Sequence, residues 1–352
     1  MKEKHLLLIR LSALGDIVML LPVVRALREN YPELPLTVLS QPFARPFFED
    51  IPGVTFFAAE LRGRHHGIRG LWRLAGELKR ATPLTHLADT HSVIRSWLLR
   101  FFLALRTFPH GYKSATLHKG RREKKALVRQ HDKQLMPLEH SVTRYAEVLK
   151  KLGFPLVVPY QLGGLQAREI TTQLEPLLRE TRLRVGIAPF AKHRGKRYDL
   201  DQMLALVKKL HKRGIQIFLF GSRGEEQLLL ERWVTKPDIV VVPALGLNLL
   251  DELRLMRHLD LMVAMDSANM HLASWAGTRV LSVWGATHPY AGFYGWGQDE
   301  ALAVGRDDLA CRPCSVYGNK PCLRGDYACL DIPVDELYKR ALALLPIPAE
   351  EV

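Results

Sequence analysis

Short uninterrupted apolar runs alternate along this chain with longer stretches in which apolar residues recur every three or four positions. The first run, within residues 4–10, holds Leu6, Leu7, Leu8 and Ile9 and reads as a buried strand. A polar turn at 11–16 follows, and then Val18, Leu21, Val24, Leu27 and Tyr31 fall at helical spacing. Strands are predicted over 36–39, 54–57 and 84–87, the last ending in Asp89-Thr90-His91, with helices over 71–80 and 140–152. Gly153 closes the second of these helices. The later half repeats the alternation. Strands are predicted over 184–190, 215–220, 239–242, 261–264 and 280–283, and helices over 200–213, 248–258 and 334–344.

Alternation of this kind predicts an α/β chain built from two Rossmann-like, doubly wound parallel-sheet domains. The boundary is expected in the stretch rich in Pro155, Pro159, Gly163 and Gly164, giving domains over 1–165 and 166–333. The remaining segment, 334–352, carries a helix expected to cross back onto the first domain. Neither half contains a G-x-G-x-x-G fingerprint, which argues against a dinucleotide-dependent dehydrogenase. Two α/β lobes facing each other across a cleft suit a nucleotide-sugar transferase.

Polar chemistry is densest between Asp266 and Thr287. Asp266, Ser267 and Asn269 supply cap chemistry for a helix that begins near Asn269, carries His271 and ends at Gly277. A helix opening at a strand's carboxyl end presents free N–H groups and a positive dipole end, which favour a phosphate. The alternative is an ordinary βαβ crossover. The crowding of polar side chains at strand ends, where open α/β sheets bind ligands, weighs towards a site.

At 352 residues the chain is long enough for two domains, and its 47% apolar content is that of a globular protein. No apolar run reaches bilayer length, since 97–105 is cut by Arg100 and flanked by Arg95 and Arg106. Arg10 and Asp16 break the first apolar stretch, so no signal peptide is read there and a cytoplasmic location is expected. The net charge of +14 calls for an anionic partner. The excess is concentrated between His91 and Lys133, with a second cluster of Arg62, Arg64, His65, His66, Arg69 and Arg73 just upstream. Beside the apolar run 97–105 these clusters suggest docking on anionic lipid or a phosphorylated glycolipid, against the alternative of a solvated basic face. No nucleic-acid-binding signature accompanies the charge.

All four cysteines lie in one segment, as Cys311, Cys314, Cys322 and Cys329. A cytosolic disulfide framework is disfavoured, and the close spacing makes a structural zinc one reading beside free thiols or an adventitious disulfide.

Several of these segments together resemble the ADP-heptose:lipopolysaccharide heptosyltransferases, glycosyltransferase family 9. The likeness is carried by residues 9–16 followed by Pro22, by 89–96, by His140 to Tyr145, and by Gly195-Lys196-Arg197-Tyr198. Residues 221–225, 266–271 and the cysteine cluster continue it in the family's order. The resemblance implies a GT-B fold and inverting, metal-independent transfer from a nucleotide-activated heptose to a lipid A–core acceptor. It implies Asp16 as the catalytic base, although an Asp before an apolar helix is also an ordinary N-cap. For the donor it implies Lys196 at the diphosphate, Glu225 at the ribose and Leu247 against adenine. Asp266 would hold sugar hydroxyls, Ser267 and Ala268 the phosphates, and His271 a phosphate or the sugar. Acceptor phosphates are assigned to Arg62, Arg64, Arg95, Lys113 and Arg121 or Arg122. Two departures are visible: Ser267-Ala268 replaces the family's Thr-Gly, and Lys196-Arg197-Tyr198 its Lys-x-Trp pattern. Ala tolerates a positive φ poorly, so a phosphate loop of altered shape is expected at Ala268.

The expected function is therefore transfer of a heptose from ADP-heptose to a Kdo–lipid A type acceptor. No catalytic cofactor is expected, and attachment to the inner membrane of a bacterium is peripheral. The alternatives are the same chemistry with another nucleotide sugar, a catalytically silent binding homologue, and an RNA-binding α/β protein. Retention of Asp16, Lys196, Glu225, Asp266 and His271 argues against the silent homologue.

Overall fold

A computed structural model describes residues 4–166, 169–180 and 182–347. The chain resolves into two compact units. The first comprises residues 1–119 and 141–159, the second 120–140 and 160–352. Residues 348–352 of the expected C-terminal segment lie outside the described residues.

In the first unit, strands β1 (Leu6–Ile9), β2 (Leu36–Ser40), β3 (Val54–Ala58), β4 (His86–Asp89) and β5 (Lys113–Thr116) form one sheet. Their order is β3-β2-β1-β4-β5, and every pairing is parallel. Every residue of β1 is fully buried, as expected of a central parallel strand covered on both faces. The helices Gly67–Ala81 and Ile94–Thr107 close one side, setting Leu74, Leu78, Leu99 and Leu103 into a core with Leu7, Ile9 and Leu87.

The second unit holds β6 (Arg184–Ala188), β7 (Gln216–Leu219), β8 (Ile239–Val241), β9 (Leu261–Met265), β10 (Val280–Val283) and β11 (Ala303–Val304). Their order is β11-β10-β9-β6-β7-β8, again parallel throughout. Helix Leu200–Lys212 starts where the Asp199 carboxylate accepts from the amides of Asp201 and Gln202, and helix Leu249–Arg257 is capped in the same way by Asn248.

In both sheets the strand order reverses beside the first strand, between β1 and β4 and between β6 and β9. Crevices of this kind open at the carboxyl ends of the strands and are where doubly wound sheets hold ligands.

Two boundaries differ from the sequence expectation. Residues 120–140 belong to the second unit. The Lys124 ammonium lies 4.2 Å over the Phe293 ring, the Leu138 amide donates to the Tyr290 carbonyl, and Lys133 Nζ donates to the carbonyls of Ala310 and Arg312. The final helix, Val334–Leu344, serves the second unit's own core. Leu337, Ala341 and Leu342 pack there with Val207 and Leu210, and Lys209 pairs with Asp335 at 2.9 Å. Its apolar face packs on that core.

Candidate functional site

The first cluster stands at the carboxyl ends of β1 and β4. Arg10 follows β1 directly and is buried, yet keeps its charge. Burial acts to lower its pKa, but Tyr145, Asp16 and Asp89 more than offset this and raise it. Arg10 Nη2 lies 2.6 Å from Asp16 Oδ2, its Nη1 donates to the Thr90 carbonyl at 2.5 Å, and its guanidinium covers the Tyr145 ring at 5.4 Å. Asp16 sits in the first turn of the helix Leu14–Val18, where the same Oδ2 accepts from the Ala13 amide at 3.3 Å. The Tyr145 hydroxyl donates to Asp16 Oδ1 at 3.3 Å. Asp16 is thus the third residue of the helix and not its N-cap, which is Ala13. It reaches back to the Ala13 amide and still keeps its side chain 31% exposed.

Across the reversal point, Asp89 ends β4 fully buried and accepts from the amides of His91 and Ser92, with Arg100 at 3.4 Å on its other oxygen. This anchor fixes His91, whose Nε2 meets Ser12 Oγ at 3.2 Å. Burial, assisted by the Arg10 charge, pushes the His91 pKa down to about 4, so the ring is neutral at pH 7. Its Nδ1 is buried without a hydrogen-bond partner among the described residues.

The second cluster repeats the arrangement at the carboxyl ends of β6 and β9. Lys196 closes the short 3-10 turn Arg194–Lys196 beyond β6, and Asp266 follows β9. Lys196 Nζ is 2.8 Å from Asp266 Oδ2, with side chains 14% and 5% exposed. The two groups pair by charge and distance, off hydrogen-bond alignment. Helix Ala268–Ala276 starts immediately after, with Ser267 as N-cap in extended conformation and Gly277 at φ +97 as its C-terminal stop. Ser267 Oγ and Thr287 Oγ1 are buried and lack protein partners among the described residues. Buried hydroxyls of this kind are satisfied by water or a ligand. The helix opening and Lys196 add the charge and N–H groups that a diphosphate needs.

Ala268 takes the first helical position and is not among the residues with positive φ. Ala268 is therefore accommodated in the helix without a left-handed conformation. His271 is buried one turn further on, close enough to His140 that a charge on it would lower the His140 pKa. Tyr198, at the family's Trp position, is buried and donates its hydroxyl to the Ile332 carbonyl.

The other expected donor residues lie at the carboxyl end of β7 and beyond β8. Glu225 is exposed in the first turn of the helix Glu225–Glu231, while its neighbour Glu226 accepts from the Ser222 amide and hydroxyl. Leu247 is 4% exposed, which leaves little of its side chain for a base, and its carbonyl accepts from Arg223 at 3.1 Å.

The expected acceptor residues divide. Arg62 and Arg64 are exposed in the segment between β3 and the helix Gly67–Ala81, Arg64 pairing with Glu60 at 3.1 Å and Glu77 at 3.5 Å. Arg95 is exposed in the first turn after β4, at the same end of the sheet as Asp16. Lys113 stands elsewhere. It opens β5 opposite His86, in the row of Leu6, while Asp16 lies beyond the far row of Ile9 and Asp89. Arg121 and Arg122 are exposed on the helix Arg121–Leu127, in the second unit and outside the domain to which the sequence assigned them.

Cys311, Cys314, Cys322 and Cys329 line one pocket with Arg312 and Tyr327. Burial and the neighbouring thiols push Cys314 up and Cys329 up to about 11. Among the described residues no group of three His, Cys, Asp or Glu side chains is arranged to hold a metal ion, so the cysteines are neighbours without being a preformed ligand set.

Arg10, His91 and Tyr145 were not singled out from sequence as site residues. Arg10 had a signal, a charge ending an otherwise apolar strand. Tyr145 had none pointing to Asp16, which is 129 residues away.

The family model for glycosyltransferase family 9 (heptosyltransferase) matches residues 92–321. No curated protein matches by sequence. Among solved structures, a glycosyltransferase of family 9 from Veillonella parvula is similar at 19% identity and TM-score 0.73, covering 98% of each chain. The ADP-heptose lipopolysaccharide heptosyltransferase II of E. coli is similar at 19% identity and TM-score 0.65, covering 99% of this chain and all of that one. The E. coli heptosyltransferase WaaC with ADP gives 16% identity and TM-score 0.66, covering 97% and 99%. Both sheets therefore adopt the GT-B architecture expected from sequence. With a family model that matches well over half of the chain, the protein belongs to glycosyltransferase family 9, the heptosyltransferases.

Proposed function

We propose that the protein transfers a heptose from ADP-heptose to a phosphorylated lipid A–core acceptor, with inversion at the anomeric carbon and no catalytic metal. The observation that carries this reading is the Asp16 carboxylate, gripped by Arg10 and Tyr145 at the sheet's reversal point while its side chain stays 31% exposed. An acceptor hydroxyl gives its proton to Asp16 as its oxygen bonds to the anomeric carbon. The bond from that carbon to the diphosphate breaks, and ADP leaves with the electron pair. Lys196 and the N–H groups opening the helix Ala268–Ala276 meet the departing charge, the work a metal does in other transferases. Asp266 is the group for sugar hydroxyls, His271 for a phosphate or the sugar, and Glu225 for the ribose. Leu247 is kept for adenine only through the edge it leaves exposed. Arg62, Arg64, Arg95, Arg121 and Arg122 are the candidates for acceptor phosphates.

The donor is inferred from the neighbours, one named for ADP-heptose and one solved with ADP. Such an acceptor implies peripheral work at the cytoplasmic face of a bacterial inner membrane. A structural zinc on the four cysteines remains a separate proposal, supported by their shared pocket. It requires the thiols to rotate onto one ion, and metal analysis of the purified protein tests it.

The test of transfer is a ligand-stability panel followed by one variant. ADP is expected to raise the melting temperature where UDP and GDP do not. Stabilisation by UDP or GDP instead would replace the donor, and no response to any nucleotide would remove the enzyme reading. Asp16→Asn is expected to lower kcat by about 10²- to 10⁴-fold with ADP binding unchanged. Full turnover in that variant removes Asp16 as base.

A further inference from the structure

The helix Ile94–Thr107 is apolar on the side it buries and on the side it shows to solvent. Leu99 and Leu103 are fully buried in the first unit's core. On the opposite face Ile94, Trp97, Phe101, Leu105 and the following Phe108 are 80%, 56%, 48%, 53% and 82% exposed. At 100° per residue these five fall within one sector of the helix, and no charged residue falls between them. Trp97 and Phe101 stack at 6.0 Å with rings 9° from parallel, so the stripe is a continuous aromatic surface. Trp72 extends it from the adjacent helix, meeting Phe102 edge-on at 5.3 Å. A helix that is apolar on both its buried and its exposed side is normally covered, and among the described residues nothing covers this face.

The surroundings say what does. Between Leu61 and Lys113 the sequence holds ten Lys and Arg against two acids, Glu77 and Asp89. Asp89 pairs with Arg100 and Glu77 with His65 and Arg64, and ten cations less two acids leave a net excess of eight positive charges. Arg69 and Arg73 are exposed on the helix Gly67–Ala81 beside the stripe, and Arg95 borders it on its own helix. An isologous pairing of two copies would set these arginines against each other. An apolar strip fringed by cations fits an anionic lipid surface, with rings at the acyl boundary and guanidinium groups at the phosphates. The helix has 14 residues, or roughly 21 Å at 1.5 Å each, and no helix among the described residues is long and apolar enough to span a bilayer. It can lie only in the plane of the surface.

We infer that the exposed face of the helix Ile94–Thr107, with Trp72 and the flanking Arg69 and Arg73, is a membrane-docking surface that seats the protein on anionic phospholipid. It deepens the glycolipid-acceptor reading, but its test contains no sugar or nucleotide, so either can fail alone. Full-length protein is sedimented with phosphatidylglycerol-containing vesicles and with neutral phosphatidylcholine vesicles. Binding to the anionic vesicles alone, weakened by salt, is expected. Trp97→Ser with Phe101→Ser, and separately Arg69→Glu with Arg73→Glu, are each expected to weaken it about tenfold or more. These side chains project to solvent, and an unchanged melting temperature verifies that both variants fold. Absence of vesicle binding, or binding untouched by either pair, overturns the proposal. So does a dimer in sedimentation velocity that the Trp97→Ser/Phe101→Ser variant dissolves, which would assign the face to a second copy.

Discussion

Lys196 and Asp266 are each other's counter-charge while no donor is bound, and both are largely buried. Removing the lysine alone leaves a buried carboxylate unpaired, at a cost of about 3–5 kcal/mol. Lys196→Met is therefore expected to lower the melting temperature and to weaken donor binding together. Adding Asp266→Asn should restore most of the stability, because no buried charge remains. Donor KM should stay raised by about 10- to 100-fold, the worth of a charged contact to phosphate. If the double variant regains donor affinity along with stability, Lys196 is only a structural cation. The sequence named both residues but not their pairing, which depends on two strand ends meeting at a reversal point 70 residues apart in the chain. It also missed Tyr145, because a hydroxyl that reaches a carboxylate 129 residues away leaves no local trace.

At the scale of elements, the loop carrying Lys196 is held by a backbone contact that a single methyl group can test. The Ala286 amide donates to the Gly195 carbonyl at 2.8 Å, and a Cβ on Gly285 would stand 2.5 Å from that same oxygen. It would also stand 2.5 Å from Cδ2 of Leu330, a side chain that can turn aside where the carbonyl cannot. Gly285→Ala should push the turn Arg194–Lys196 outward, misplacing the ammonium while the β10 core stays formed. The expected result is a rise in donor KM of about tenfold. A melting temperature within a few degrees of the parent would show that the sheet is intact, and an unchanged KM would mean the turn does not position Lys196. Apolar runs and helical spacing made most large elements readable, from β1 to the helix Leu249–Arg257. The helix Ile94–Thr107 was not, because its apolar residues lie on both its buried and its exposed face and leave no single stripe. Nor were the edge strands β5 and β11. Lys113–Thr116 is mostly exposed and Ala303–Val304 is two residues long, so neither has the apolar run that marks a buried strand.

Across the molecule, three histidines, His91 buried and His140 and His288 half-buried, are held in neutral form. Burial is the leading cause that brings His91, His140 and His288 down to about 4. In the unfolded chain each would titrate near 6.5, so the folded state binds fewer protons between those values. Stability contributed by these groups is complete above pH 6.5 and is lost as pH falls towards 4. Three protons at about 1.36 kcal/mol each give a loss of up to about 4 kcal/mol per pH unit. Urea unfolding at a series of pH values from 7.5 down to 4.5 measures this slope. A flat profile would mean the rings titrate alike in the folded and unfolded chain, and a rise in stability on acidification would mean they are protonated in the fold. The two-sheet architecture was legible because a parallel sheet writes itself as repeated strand–helix pairs. The allocation of 120–140 was not, since those residues look like a basic extension of the first half until Phe293, Tyr290 and Arg312 are in view.

That allocation has a consequence in time. Residues 120–140 leave the ribosome long before the segments that hold them, since Lys133 waits for carbonyls 177 and 179 residues later. At about 5–20 residues per second the delay is roughly 9–35 s. Through that interval the apolar Ala126, Leu127 and Val128 lie in a segment whose anchors Tyr290, Phe293 and Arg312 do not yet exist, although residues 141–159 can already join the first unit. The nascent chain thus carries a sticky tether between a unit that is done and one that has barely begun, and chaperone capture during synthesis is expected to concentrate there.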